Sequence, residues 1–136
     1  MKIVVIDGQG GRIGKLVIEK ISDLCTNHEL IAIGTNSLAT AAMIKAGAKK
    51  AATGENPVVV NVRHADVVIG PIGMIMANAL LGEVSKKMAV AVSDSDAYKI
   101  LIPVSKCNHK VVGLKDLSID EYIDLVYEEV KAILVG

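Results

Sequence analysis

The segment Gly8-Gln9-Gly10-Gly11-Arg12-Ile13-Gly14 follows directly on the apolar run Ile3–Asp7 and leads into an amphipathic stretch. Glycines let a backbone pass close to a phosphate. A helix that starts there aims its unpaired N–H groups and the positive end of its dipole at the anion. The chemistry offered is therefore anion holding. The Arg12 guanidinium could reach a phosphate or point to solvent. Asp7, at the root of the turn, would repel a phosphate lying beside it. It could instead accept from a ribose hydroxyl or a loop N–H, bind a cation that bridges to phosphate, or simply stabilise the turn. The turn departs from strict G-x-G-x-x-G, because Ile13 stands at the third glycine and Gly14 comes one later. Tight strand-to-helix packing is the plainer use of such glycines.

Three more loops share this small, donor-rich character: Gly34-Thr35-Asn36-Ser37, Gly54-Glu55-Asn56-Pro57 and Gly70-Pro71-Ile72-Gly73. Candidate ligand-binding residues are Gly8, Gln9, Gly10, Gly11, Arg12, Ile13, Gly14, Thr35, Asn36, Ser37, Gly54, Asn56, Gly70, Pro71 and Gly73. Glu55 is the best-placed acid–base candidate and Asp7 the second. Dinucleotide sites place an acid for the ribose about 20 residues after the glycine turn. Here Gly34-Thr35-Asn36 carries none, and no arginine follows for a 2′-phosphate. Asn36 and Ser37 could donate to a ligand or cap a helix.

Other motifs carry less. Gly14-Lys15 is not an ATPase loop, since Leu16 stands where a magnesium-binding Ser or Thr is needed. Tyr127 and Lys131 have the spacing of a short-chain dehydrogenase pair, which ordinary i, i+4 helix spacing explains. His28, His64 and His109 are isolated in sequence, so no metal site is expected. Cys107-Asn108-His109 reads as a plain hairpin rather than a reactive thiol.

These loops must be held by elements. Ile3–Asp7 reads as a strand covered on both faces. A helix follows, with Ile13, Leu16, Val17, Ile21, Leu24 and Cys25 on one stripe. Leu30–Gly34, Lys50–Thr53, Ala65–Gly70 and Lys99–Val104 read as further strands. Leu38–Ala46, Ile75–Leu81 and Ser85–Val92 read as helices. Val58–His64 reads as a short helix capped by Asn56 with Pro57 at its first position, although its valines favour a strand. The link Lys106-Cys107-Asn108-His109 permits only a hairpin, which makes Lys110–Leu114 an antiparallel edge strand. Ser118 to Glu121 is a capping box opening a terminal helix, with Tyr122, Ile123, Val126 and Val130 on its buried stripe. The expectation is one α/β domain over 1–136: a doubly wound, mostly parallel, Rossmann-like sheet with a C-terminal antiparallel edge strand and a terminal helix. Its four loops would gather at the carboxyl ends of the strands.

At 136 residues, 51% hydrophobic and 22% charged, the chain can bury a core without disulfides or metal. Fifteen basic residues balance fifteen acidic ones, and Phe and Trp are absent. No basic stripe or stacking set favours nucleic acid. No signal peptide or membrane-length apolar run is read, and two unpaired cysteines, Cys25 and Cys107, fit a cytoplasmic protein. Met74–Leu81, apolar on every face except Asn78, would be deeply buried or form a homodimer contact.

Gly11-Arg12-Ile13-Gly14 resembles the phosphate loop of dihydrodipicolinate reductases over the first strand, turn and helix. Their catalytic domain has no counterpart here, so that resemblance implies phosphate binding alone. Val-Ile-Asp-Gly-Gln-Gly-Gly at 5–11, Gly-Thr-Asn-Ser at 34–37, Thr-Gly-Glu-Asn-Pro at 53–57, Gly-Pro-Ile-Gly at 70–73 and Ile-Pro-Val-Ser-Lys-Cys-Asn at 102–108 form a wider pattern. It resembles an uncharacterised bacterial family of short Rossmann-like proteins classed as a domain of unknown function. That resemblance spans essentially the whole chain and implies a Rossmann-like fold in a bacterial cytoplasm, with no activity to carry over. Arg12 departs from the glycine usual there. Three functions compete: a module binding a nucleotide, dinucleotide or other phosphorylated small molecule; a small enzyme on such a substrate, with NAD(P) as one cofactor option, using Glu55 or Asp7; and a scaffold with an empty loop.

Overall fold

The computed structural model describes residues 1–104 and 109–136. Among these residues five strands form one sheet: β1 (Lys2–Asp7), β2 (Glu29–Gly34), β3 (Lys50–Thr53), β4 (Val67–Pro71) and β5 (Tyr98–Ile102). Their order is β3-β2-β1-β4-β5, and every pairing is parallel. Five α-helices connect or follow them: α1 (Arg12–Ile21), α2 (Ser37–Lys45), α3 (Glu55–Val62), α4 (Lys86–Asp94) and α5 (Ile119–Val135).

The pleat of β1 sorts the core into two layers. Ile3 and Val5 face one way and pack with Val17, Ile18 and Ile21 of α1, Met43 of α2, and Ile123, Val126 and Val130 of α5. Val4 and Ile6 face the other way, against Val58 and Val62 of α3 and Met88, Ala89 and Val92 of α4. Both faces being covered explains why β1 reads as an unbroken apolar run rather than an alternating one. The chain moves outward from β1 through β2 to β3. It then crosses back, through α3 on the opposite face, and sets β4 on the free side of β1. That reversal leaves a crevice between the carboxyl ends of β1 and β4.

Several expectations are corrected. The antiparallel edge strand at Lys110–Leu114 is not formed: residues 109–118 carry no strand, Val112-Gly113 make a turn, and Val112 is 90% exposed. Of the proposed hairpin link, Lys106, Cys107 and Asn108 lie outside the described residues, as does any role of Cys107 as a thiol. The helix expected over Ile75–Leu81 is replaced by a 3₁₀ turn, Ile72–Ile75, followed by turns. Its apolar residues divide, with Met74 and Ala79 entering the core while Leu81 is 99% exposed. The premise of an all-round apolar helix seeking a partner therefore falls. Of Val58–His64, Val58 to Val62 belong to a helix, but it starts at Glu55 and ends at Val62, with Arg63 and His64 in a turn; it is capped by Gly54 at φ 110°, so Asn56 sits inside the first turn.

Asn36 caps α2 through its side chain, and Ser118 and Glu121 form the expected capping box on α5. Cys25 is buried, which raises its thiol pKa. No helix among the described residues is long and apolar enough to cross a membrane.

Candidate functional site

Asp7 ends β1 and is buried. Its Oδ1 accepts the Gly8 N–H at 2.8 Å and its Oδ2 the Gly14 N–H at 2.6 Å. Gly14 lies in the first turn of α1, whose cap residue Gly11 has no side chain to offer. Asp7 thus supplies the oxygen that an N-cap side chain would otherwise provide. Burial pushes its pKa up, the N–H groups of Gly14, Gly8 and Ile13 pull it down, and the Glu83 charge adds a smaller upward push. The net shift is upward.

Close packing fixes two of the glycines. Gly11 holds φ 74°, and a Cβ there would lie 2.8 Å from the Ala39 backbone. A Cβ at Gly14 would lie 2.5 Å from Met43 Sδ and 2.9 Å from Asp7 Cβ. Helix α1 can approach β1 and α2 this closely only without side chains at these points. Gly10 differs, with nothing within 4 Å of its notional Cβ. It faces open space.

The loop's other carboxylate was invisible in the sequence. Glu83 Oε1 accepts from the Gln9 N–H at 3.0 Å, the Thr35 hydroxyl at 2.7 Å and the Asn36 side-chain amide at 2.7 Å. Burial raises its pKa, but the bonds from Thr35, Gln9 and Asn36 together outweigh burial and leave it lowered. Asn36 also donates to the Gln9 carbonyl at 2.9 Å, while its Oδ1 accepts from Ala39 N–H. One side chain therefore ties α2 to the glycine loop.

A cleft of 540 Å³ opens at the β1/β4 reversal. It is lined by Asp7, Gly8, Gln9, Arg12, Ile13, Pro71, Gly73, Leu80, Leu81, Val104 and Ile119. Seven of the candidate residues thus share one cavity: Asp7 at the end of β1 and six from the first and fourth loops. Thr35 and Asn36 bond to Glu83, and none of the three lines it. Ser37 is the exposed first residue of α2. Gly70 sits inside β4, where a Cβ would lie 2.7 Å from the Ile6 carbonyl oxygen. Gly54, Glu55 and Asn56 belong to the start of α3, and Glu55 Oε2 accepts from Ser85 Oγ at 2.5 Å, joining α3 to the cap of α4. Leu80, Leu81, Val104 and Ile119 complete the cleft wall without having been candidates. Lys20 lies over the Tyr127 ring and pairs with Asp124 at 2.7 Å, a surface arrangement that accounts for Tyr127.

The cleft walls are mostly apolar, and its polar features are a backbone loop, Gln9, the buried Asp7 and the Arg12 guanidinium. Asp7 and Glu83 already hold the N–H groups of Gly8, Gly14 and Gln9. Those of Gly10 and Arg12 make no hydrogen bond to a described residue. Fold and cleft together define a parallel α/β protein with a glycine-loop cavity at its point of strand reversal. The chain belongs to the family described as Domain of unknown function (DUF3842), whose model matches residues 2–135. No curated protein and no solved structure matches it.

Proposed function

We propose that this chain acts as one Rossmann-like ligand-binding domain. In this reading it holds a nucleotide or other phosphorylated small molecule in the β1/β4 cleft. The observation that carries it is the cleft itself: the glycine loop, Arg12 and the β4 loop converge where open parallel sheets take their ligands. The ligand's anion would meet the N–H groups of Gly10 and Arg12 and the Arg12 side chain. Its apolar body would lie on Ile13, Leu80, Val104 and Ile119.

Binding is favoured over catalysis by the use to which Asp7 is put. Both of its oxygens are held by backbone N–H groups, and Glu55 is not among the cleft residues. A thermal-shift screen with NAD, NADP, adenine nucleotides and phosphorylated metabolites tests the reading. A ligand at 100 times its Kd adds about 2.7 kcal/mol of stability. Gly10→Val meets no steric conflict in the fold, so it should leave the unliganded melting temperature in place and abolish the shift. No shift with any anion would overturn the reading.

A further inference from the structure

Three donors from two loops converge on a single oxygen of Glu83: the Gln9 N–H, the Thr35 hydroxyl and the Asn36 amide. We propose that these donors form an anion subsite which the chain's own Glu83 occupies, and that a second anionic group of the ligand takes Glu83's place. The proposal rests on the ligand reading above and narrows it to a ligand carrying two anionic groups, such as a diphosphate.

The donors are set in place independently of Glu83. The Asn36 amide orientation is fixed because its Oδ1 accepts from Ala39 N–H and its Nδ2 also donates to the Gln9 carbonyl. Gln9 holds a left-handed φ of 48°, and the Thr35 N–H is bonded to the Asp7 carbonyl at 2.9 Å. A cluster of donors on a fixed frame stabilises an oxyanion and offers little to a neutral group.

Glu83 arrives differently. It sits on a loop with left-handed φ at Asn78, Leu80 and Leu81, a conformation that side chains disfavour. The neck of that loop is closed by bonds from Asn78 N–H to the Val84 carbonyl and from Val84 N–H to the Ala79 carbonyl, and Ala79 and Val84 are buried. The Glu83 side chain can therefore swing out while the neck stays shut. Subsite and cleft are continuous, since Gly8 and Gln9 line the cleft and Gln9 contributes the N–H. At Gly8 a Cβ would lie 2.6 Å from Thr35 Oγ1, 2.8 Å from Leu80 Cδ1 and 3.1 Å from Glu83 Oε1, so the glycine backbone packs directly against the subsite.

Inorganic pyrophosphate, titrated into the ¹⁵N-labelled full chain, tests this. Removing the tethered competitor in Glu83→Ala should tighten pyrophosphate binding by on the order of tenfold, because the open subsite no longer has to be vacated. The Gln9 N–H and Asn36 side-chain amide resonances should move. Glu83→Gln, which keeps the shape and one acceptor oxygen, should fall between wild type and Glu83→Ala and guards against a folding defect. Adding Thr35→Val to Glu83→Ala should remove most of the gain. Equal affinity in wild type and Glu83→Ala, with Asn36 unmoved, would overturn the subsite. Weaker binding in Glu83→Ala would overturn it too, by making Glu83 a direct acceptor of ligand hydroxyls. Shifts at Gly73 without shifts at Asn36 would leave the cleft reading standing and this one refuted. Shifts at Asn36 without shifts at Gly73 would place the anion on the subsite alone and overturn a ligand that bridges subsite and cleft.

Discussion

Asp7→Asn probes the joint between β1 and α1 on which the glycine loop hangs. The wild-type carboxylate accepts Gly8 N–H through one oxygen and Gly14 N–H through the other. Asparagine keeps one acceptor and turns an NH₂ toward the remaining N–H, whereas each carboxyl oxygen, ionised or protonated, keeps a lone pair for its N–H, so one bond is lost and a buried donor is stranded. Either effect alone is about 1–3 kcal/mol, and relief of the buried charge offsets part of their sum, which leaves a net loss of about 2 kcal/mol. For a domain of this length that corresponds to a drop of about 7 °C in Tm. The effect also has a pH signature. The folded-state pKa of Asp7 is raised, with burial the leading cause. Its contribution to stability is therefore fully present below the unfolded-state carboxyl value and is lost as pH rises through the raised folded value. The gap between wild type and Asp7→Asn should be widest near the ordinary carboxyl range and narrow as pH rises above it. Urea melts followed by circular dichroism at stepped pH would measure it. A gap that is absent, or that widens as pH rises, would refute the assignment of Asp7 as a buried cap whose net pKa is raised.

Three further outcomes follow from the packing. Gly14→Ala forces a methyl against Met43 Sδ and Asp7 Cβ and should destabilise by about 1–3 kcal/mol. Combining it with Met43→Ala should give a loss smaller than the two single losses added, in the same urea assay. Ser118→Ala removes the side-chain acceptor for the Glu121 N–H and should lower stability by about 1 kcal/mol. Arg12→Ala leaves the core untouched, so its Tm should stay put while its affinity for whichever anion stabilises the wild type falls by about tenfold, read by calorimetric titration.

Much of the fold is legible where local signals agree with tertiary demands. The apolar run Ile3–Asp7, the glycines after it and the α1 stripe all point to strand, turn and helix, and β3 keeps the limits Lys50–Thr53. The Ser118–Glu121 box marks the start of α5 for the same reason. Elsewhere apolar spacing misleads. Met74 to Leu81 has helical content, yet Asn78, Leu80, Leu81 and Gly82 all take positive φ, which helical periodicity cannot reveal. Val111-Val112 looks like strand, but residues 109–118 pair with no described strand, and a strand without a partner gains no ladder bonds. At the site, the β1 loop and the β4 loop declare themselves through glycine and proline. Glu83 gives no such sign. It lies 74 positions from Gln9, on an irregular loop, and only the folded chain brings the two together. The third loop misleads in the opposite sense: Gly54, Glu55 and Asn56 have ligand-loop composition but form the start of α3 and lie outside the cleft wall.

The most direct test of the ligand site is a crystal structure of the chain with the strongest stabiliser found by thermal shift. The expected result is the ligand's anionic group against the Gly10 and Arg12 N–H groups, with its body between Ile13, Pro71, Leu80 and Ile119. A ligand bound elsewhere, such as beside His28 at the opposite end of the strands, with the β1/β4 cleft empty, would contradict it.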